Sequence, residues 1–147
     1  MKAWLQRVES AKVETEGETI AEIGPGLLVL LGVAPGDTEA AAAKIAAKIA
    51  DLRIFEDENG MTNLSLADTG GSVIVVSQFT LYADTSRGRR PGFSGAARPE
   101  VAEPLYLRTA ALLAERLGAE RVKTGRFGAH MRVSLVNDGP FSVEILA

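Results

Sequence analysis

The sequence predicts an α+β fold with largely antiparallel or mixed β-sheets and two main helices. Strand-like apolar runs outnumber helical stretches, only two stretches carry helical periodicity, and the two kinds do not alternate regularly, which argues against a doubly wound parallel sheet. The chain has 147 residues, 46% of them hydrophobic. That length supports one domain with a real core and is too short for two, so residues 1–147 are expected to form a single domain.

Taken in order, Leu5, Val8, Ala11 and Val13 are spaced as in a half-exposed first strand that bends or bulges once. Glu16-Gly17-Glu18 forms its turn, residues 19–23 return as a short strand, and Gly24-Pro25-Gly26 stops it, because proline lacks the ladder donor. Residues 27–33 are a wholly apolar strand. Asp37 or Thr38 then caps a helix running to about Leu52, with Ala41, Ile45, Ile49 and Leu52 on one face, the pattern of a helix lying on a sheet. Residues 53–56 and 61–64 flank Asn59-Gly60 as a hairpin. Residues 73–76 have no polar alternate set, so that strand is expected to be buried on both faces. A second helix spans roughly 99–117, with Val101, Leu105, Thr109 and Leu112 along its stripe. Pro104 kinks it or delays its start, and Gly118 ends it. Residues 121–124, 131–136 and 141–146 supply the remaining strands.

Composition excludes several kinds of function. A net charge of −3 provides no global field for nucleic acid or an anionic membrane, so any RNA contact must come from a local patch. With no cysteine there is no disulfide, thiolate nucleophile or thiolate metal site. The longest apolar run falls far short of a membrane span, and the first residues lead directly into patterned sequence, so a cytoplasmic protein is expected. The local exception to the acidic balance is Thr85 to Arg98, which holds Arg87, Arg89, Arg90 and Arg98 and no acid. Such a stretch is either a solvated surface or a phosphate contact.

Chemistry concentrates in Ser77-Gln78-Phe79-Thr80-Leu81-Tyr82-Ala83-Asp84, at the end of the buried strand. Polar groups there must find partners, so the cluster is either a structural hydrogen-bond knot or the floor of a site. His130 is the sole histidine, no glycine-framed serine surrounds Ser77, and neither a phosphate-binding glycine loop nor an acidic metal cluster is present. The chain therefore has hydroxyls but no evident base, and neither metal nor cofactor is expected.

Ser77 to Asp84 together with Asn137-Asp138-Gly139-Pro140-Phe141-Ser142 closely resembles the two signature motifs of the D-aminoacyl-tRNA deacylases. Gln6-Arg7-Val8, Arg89-Arg90-Pro91 and Phe127-Gly128-Ala129 before Met131 match as well, so the resemblance covers the whole chain. It implies a barrel-like deacylase fold and a homodimer that takes aminoacyl-tRNA, not DNA, in active sites at the subunit interface. Gly139 and Pro140, joined by a cis bond, reach into the partner's pocket and reject L side chains. Glycyl-tRNA mischarged on alanine tRNA is then a further substrate.

By the same resemblance Ser77 and Gln78 organise the pocket, Phe79 packs in it, and Phe127 and Met131 wall it. Thr80 positions the ester, with a nucleophilic role as the alternative, while the 2′-hydroxyl of the terminal ribose assists hydrolysis. Arg7 is implied to hold the Gly-Pro loop, with Met131 packed beside it. Arg87, Arg89 and Arg90 are the expected tRNA contacts. The family motif reads Gly-Pro-Val-Thr, whereas this chain has Phe141 and Ser142 after Gly-Pro, which touches substrate range. A non-catalytic module that binds the tRNA end, and a small esterase using Ser77 or Thr80 with His130, are the competing readings.

Overall fold

The first strand, β1 (Lys2–Thr15), organises the fold because it pairs with three others. Its first half runs antiparallel to β3 (Gly26–Gly32) and its second half to β2 (Glu18–Ile23), which returns through a tight turn at Glu16 and Gly17. Along its other edge lies the last strand, β8 (Arg132–Leu146), antiparallel over nearly the whole length. The computed structural model describes residues 1–147.

Beyond β3 the sheet continues in parallel with β6 (Ser72–Ser77) and β7 (Val122–Thr124), giving six strands of mixed direction. The curved sheet brings β2 round toward β6 and β7, so it closes into a near-barrel. A separate short hairpin pairs β4 (Phe55–Glu56) with β5 (Thr62–Leu64).

Strand periodicity of two divides the core in two. Leu27, Val29, Leu31, Val73 and Val75 face α1 (Glu39–Asp51) and α3 (Pro99–Leu117), where Ile45, Ile49, Tyr106 and Leu113 are fully buried against them. Leu28, Ile74 and Val76 point the other way, into the curl of the barrel, with Val8, Val13 and Ile23. β6 is thus buried on both faces, as its unbroken apolar run predicts. Gly26 lets β3 and β6 close together at one end: a Cβ there would sit 1.8 Å from the Ser72 carbonyl oxygen, an impossible approach.

Several expectations are corrected. Residues 131–136 and 141–146 belong to one strand, because β1 runs beside both and carries the ladder past the turn-like residues between them. Between Gln6↔Ser142 and Val8↔Asn137, β8 advances five residues while β1 advances two, so Asp138 to Phe141 bulge out as a corner. The Gly139-Pro140 peptide in this corner is cis.

The inward stripe of α3 is Tyr106, Thr109, Ala110, Leu113 and Leu117, and Val101 is 41% exposed. Pro104 lies within the helix without ending it. Thr38 is the N-cap of α1, but its side chain makes no capping bond; Asp37 instead accepts from the Ala34 N–H and pairs with the Met1 ammonium. A short helix, α2 (Leu66–Thr69), was not expected, although Ser65 and Asp68 form a reciprocal capping box.

Candidate active site

At the carboxyl end of β6 the chain leaves the sheet at Ser77 and enters a single 3-10 turn, Phe79–Tyr82. The Gln78 N–H donates to the Leu31 carbonyl at 2.8 Å, which fixes this exit against the end of β3. Beside it a cavity of about 580 Å³ opens. β3 and β6 form its floor, the start of α3 one wall, and residues 127–131 the other. The Ala97 N–H donates to Val33 O at 2.8 Å and the Gly125 N–H to Val75 O at 2.9 Å, so both walls are tied to the sheet by backbone bonds.

Ser77, Gln78, Phe79, Phe127 and Met131 all line this cavity. Phe79 is 56% exposed and meets Phe93 edge to face at 5.0 Å between centroids. Thr80 stands just outside the lining and accepts a hydrogen bond from Gln78 Nε2. The first N–H groups of the 3-10 turn, at Phe79 and Thr80, have no acceptor within the turn.

Phe93 and Tyr106 were not singled out from the sequence, whereas Arg98 was named in the basic stretch and His130 as the base of the esterase reading; all four line the cavity. Tyr106 was detectable as the one polar-tipped aromatic of α3. It is buried, its hydroxyl donates to Val75 O at 2.9 Å with Gly125 O at 3.3 Å, and burial pushes its pKa up to about 12, so the phenol stays neutral. Arg98 and His130 are the basic side chains of the lining, which contains no carboxylate. His130 lies in the same cavity as Ser77, yet its imidazole makes no hydrogen bond to Ser77 or Thr80. No three His, Asp or Glu side chains converge to hold a metal ion.

Gly139, Pro140 and Arg7 are not part of this cavity. Arg7 pairs with Leu27 on β3, while Ser77 pairs with Leu31, four residues along and hence about 13 Å toward the other end of the sheet. At the corner, Arg7 Nε donates to Asp138 O at 3.2 Å and faces the Asp138 carboxylate at 3.0 Å, and Nη1 donates to Ile54 O at 2.6 Å. Met131 is not Arg7's neighbour in this arrangement: Arg7 borders a small polar pocket near Pro25 and Glu56, whereas Met131 walls the large cavity and accepts from the Arg126 N–H at 3.4 Å. Arg87, Arg89 and Arg90 lie on an exposed loop that the Asp84↔Gly92 bridge closes, outside the lining.

The family model for D-Tyr-tRNA(Tyr) deacylase matches residues 4–146. The chain belongs to this family. A D-aminoacyl-tRNA deacylase of Symbiobacterium thermophilum is 56% identical, covering 99% of this chain and 95% of its own, and one of Dinoroseobacter shibae is 58% identical over 97% of each. A solved structure described as c-Myc DNA Unwinding Element Binding Protein superimposes on this deacylase-family chain with a TM-score of 0.95 at 40% identity, over 100% of this chain and 99% of that one. A probable eukaryotic D-amino acid tRNA deacylase shares the fold, with a TM-score of 0.87 at 17% identity over 98% and 97% of the two chains.

Proposed function

We infer that this deacylase-family protein is an editing hydrolase that cleaves the ester of D-aminoacyl-tRNA to free D-amino acid and tRNA. It works in the cytoplasm as a homodimer, the Gly139-Pro140 corner of one subunit entering the large cavity of the other. The observation that carries this reading is the separation of the two motifs: within one chain the Ser77 cavity and the corner lie at opposite ends of the sheet. A pocket built from both takes two copies. The exposed Trp4 and Leu146, 37% and 57% accessible on one face of the β1–β8 ladder, fit a surface that a second copy covers.

The cavity receives the aminoacyl end. Ser77 and Gln78 orient it, Thr80 holds Gln78 in place, and the N–H groups of Phe79 and Thr80 meet the negative charge that develops on the ester oxygen. The lining contains no carboxylate base, which fits assistance by the 2′-hydroxyl of the terminal ribose. Backbone atoms of the corner meet an L side chain and leave a D side chain free, so selectivity arises by rejection. Glycine presents nothing to reject, so glycyl-tRNA mischarged on alanine tRNA is also a substrate. Arg87, Arg89 and Arg90 contact the tRNA backbone, with Arg98 at the cavity itself.

The deciding measurement compares deacylation of D-tyrosyl-tRNA and L-tyrosyl-tRNA at catalytic enzyme concentration, with chelator present. Multiple-turnover loss of the D ester alone is expected. Protection of both esters despite tRNA binding overturns this reading in favour of a tRNA-end binding module. Replacing His130 with Ala separates the esterase reading, which requires the imidazole as base; near-wild-type deacylation is expected.

A further inference from the structure

Phe141 packs at the margin of the main core, and its ring lies under the Arg7 guanidinium, with Cζ 4.9 Å from the ring centroid. The edge of the same guanidinium is already occupied by Asp138 and Ile54. A methyl group placed on Gly139 would fall 3.4 Å from Arg7 Nη2 and 3.4 Å from Phe141 Cβ, so the two side chains flank one backbone atom of the corner.

We propose that Phe141 is a positioning residue for stereochemical discrimination: its ring fixes the plane of the arginine that holds the Asp138 and Gly139 backbone. The inference rests on the reading of the corner given above. Hydrogen bonds along one edge of a guanidinium fix its distance from Asp138 but leave it free to tilt, and a ring against its face removes that freedom. The contact is strengthened by desolvation, since the Arg7 side chain is only 7% exposed. Valine, which the related motif carries at this point, has no aromatic face to offer, so the corner of this chain is held from one more direction.

The test measures kcat, KM and the ratio of D-tyrosyl-tRNA to L-tyrosyl-tRNA deacylation for wild type, Phe141→Tyr, Phe141→Leu and Phe141→Val, with a thermal midpoint for each. Leu and Val are expected to lower the D-to-L ratio roughly tenfold, between the scales of an exposed and a desolvated cation–π contact. KM for the D ester should stay within about twofold, because the ring stacks on Arg7 and acts on the substrate only through the corner backbone. Tyr keeps the aromatic face and should preserve the ratio. The valine variant restores the family's own residue, so a folded aliphatic variant remains even if leucine packs poorly. An unchanged ratio in the aliphatic variants, with only the thermal midpoint lowered, overturns the proposal, as does a Tyr variant that loses as much selectivity as Leu. A wild type without D-selective turnover overturns the functional reading itself and this inference with it.

Discussion

At the cavity end of the sheet the walls are mostly apolar: Phe79 and Phe93 stand exposed, and the long loop between Asp84 and Arg98 is fastened only near its two ends, by the Asp84↔Gly92 bridge and by the Ala97 N–H to Val33 O. At the corner end a single buried arginine uses its edge on Asp138 and Ile54 and its face on Phe141. A receiving pocket can adjust its walls around a ligand at little cost. A rejecting element cannot, because a steric filter that yields by a fraction of an ångström no longer discriminates. The contrast is thus one of stiffness, and it fits the proposed division of reception at one end and selection at the other.

The largest expected effect comes from adding one methyl group at the corner. Gly139 has φ +126° and a Cβ there would lie 2.9 Å from the Phe141 nitrogen. Gly139→Ala is expected to cost about 2–3 kcal/mol in urea denaturation and to remove most D-selective turnover; retention of both would show that the corner is soft. Next in size is Arg7→Met, which keeps bulk but leaves Ile54 O and the Asp138 groups unpartnered. A loss of about 2 kcal/mol is expected, because the arginine is buried while its carboxylate partner is half exposed. A wild-type urea midpoint would mean that the clamp contributes nothing.

Replacing Arg87, Arg89 and Arg90 with Ser tests the soft end. tRNA affinity should fall and the slope of log affinity against log salt should flatten by about 2, with the urea midpoint unchanged. An unaltered slope would move the RNA contact elsewhere. The smallest effect concerns α2, close to the corner. Hydrogen bonds from the Ser65 side chain and then its backbone hold the Asp68 carboxyl below the usual carboxylate range. In the unfolded chain that carboxyl titrates near pH 4, so its contribution is complete above that and is lost as pH falls through the lowered folded value. Ser65→Ala should forfeit the increment at neutral pH and show a flatter acid limb in stability measured from pH 6 to 2.

What was legible in the sequence follows from how local each cause is. Pro99 and Gly118 mark the ends of α3 correctly, because both act through their own backbone. The helix's inward face was misread by about one position, since alanines and leucines crowd it all round and the facing direction is decided by Tyr106 reaching Val75, far away in the chain. Asn137-Asp138-Gly139-Pro140 has the chemistry of a turn, and only the presence of β1 alongside turns it into a bulge within one strand. In the site, Ser77, Gln78 and Thr80 were readable as a polar cluster at the end of an apolar strand. The partners of Arg7 were not, because Ile54 and Asp138 are 47 and 131 residues away, and no periodicity reports such a meeting.

The pairing of β1 with β8 also sets an order of events in the growing chain. The first strand emerges from the ribosome long before the last, and the loop between them must close before any rung of that ladder forms. Until then β1 keeps one edge bare, Arg7 has no Asp138 to hold, and the cavity lacks the contribution of Val133. The helices and the β3–β6 pair have nearer partners and are expected to assemble earlier. Each newly made copy therefore acquires its stiffest part last, and a nascent chain that stalls short of β8 carries an open cavity with nothing to close the edge beside it.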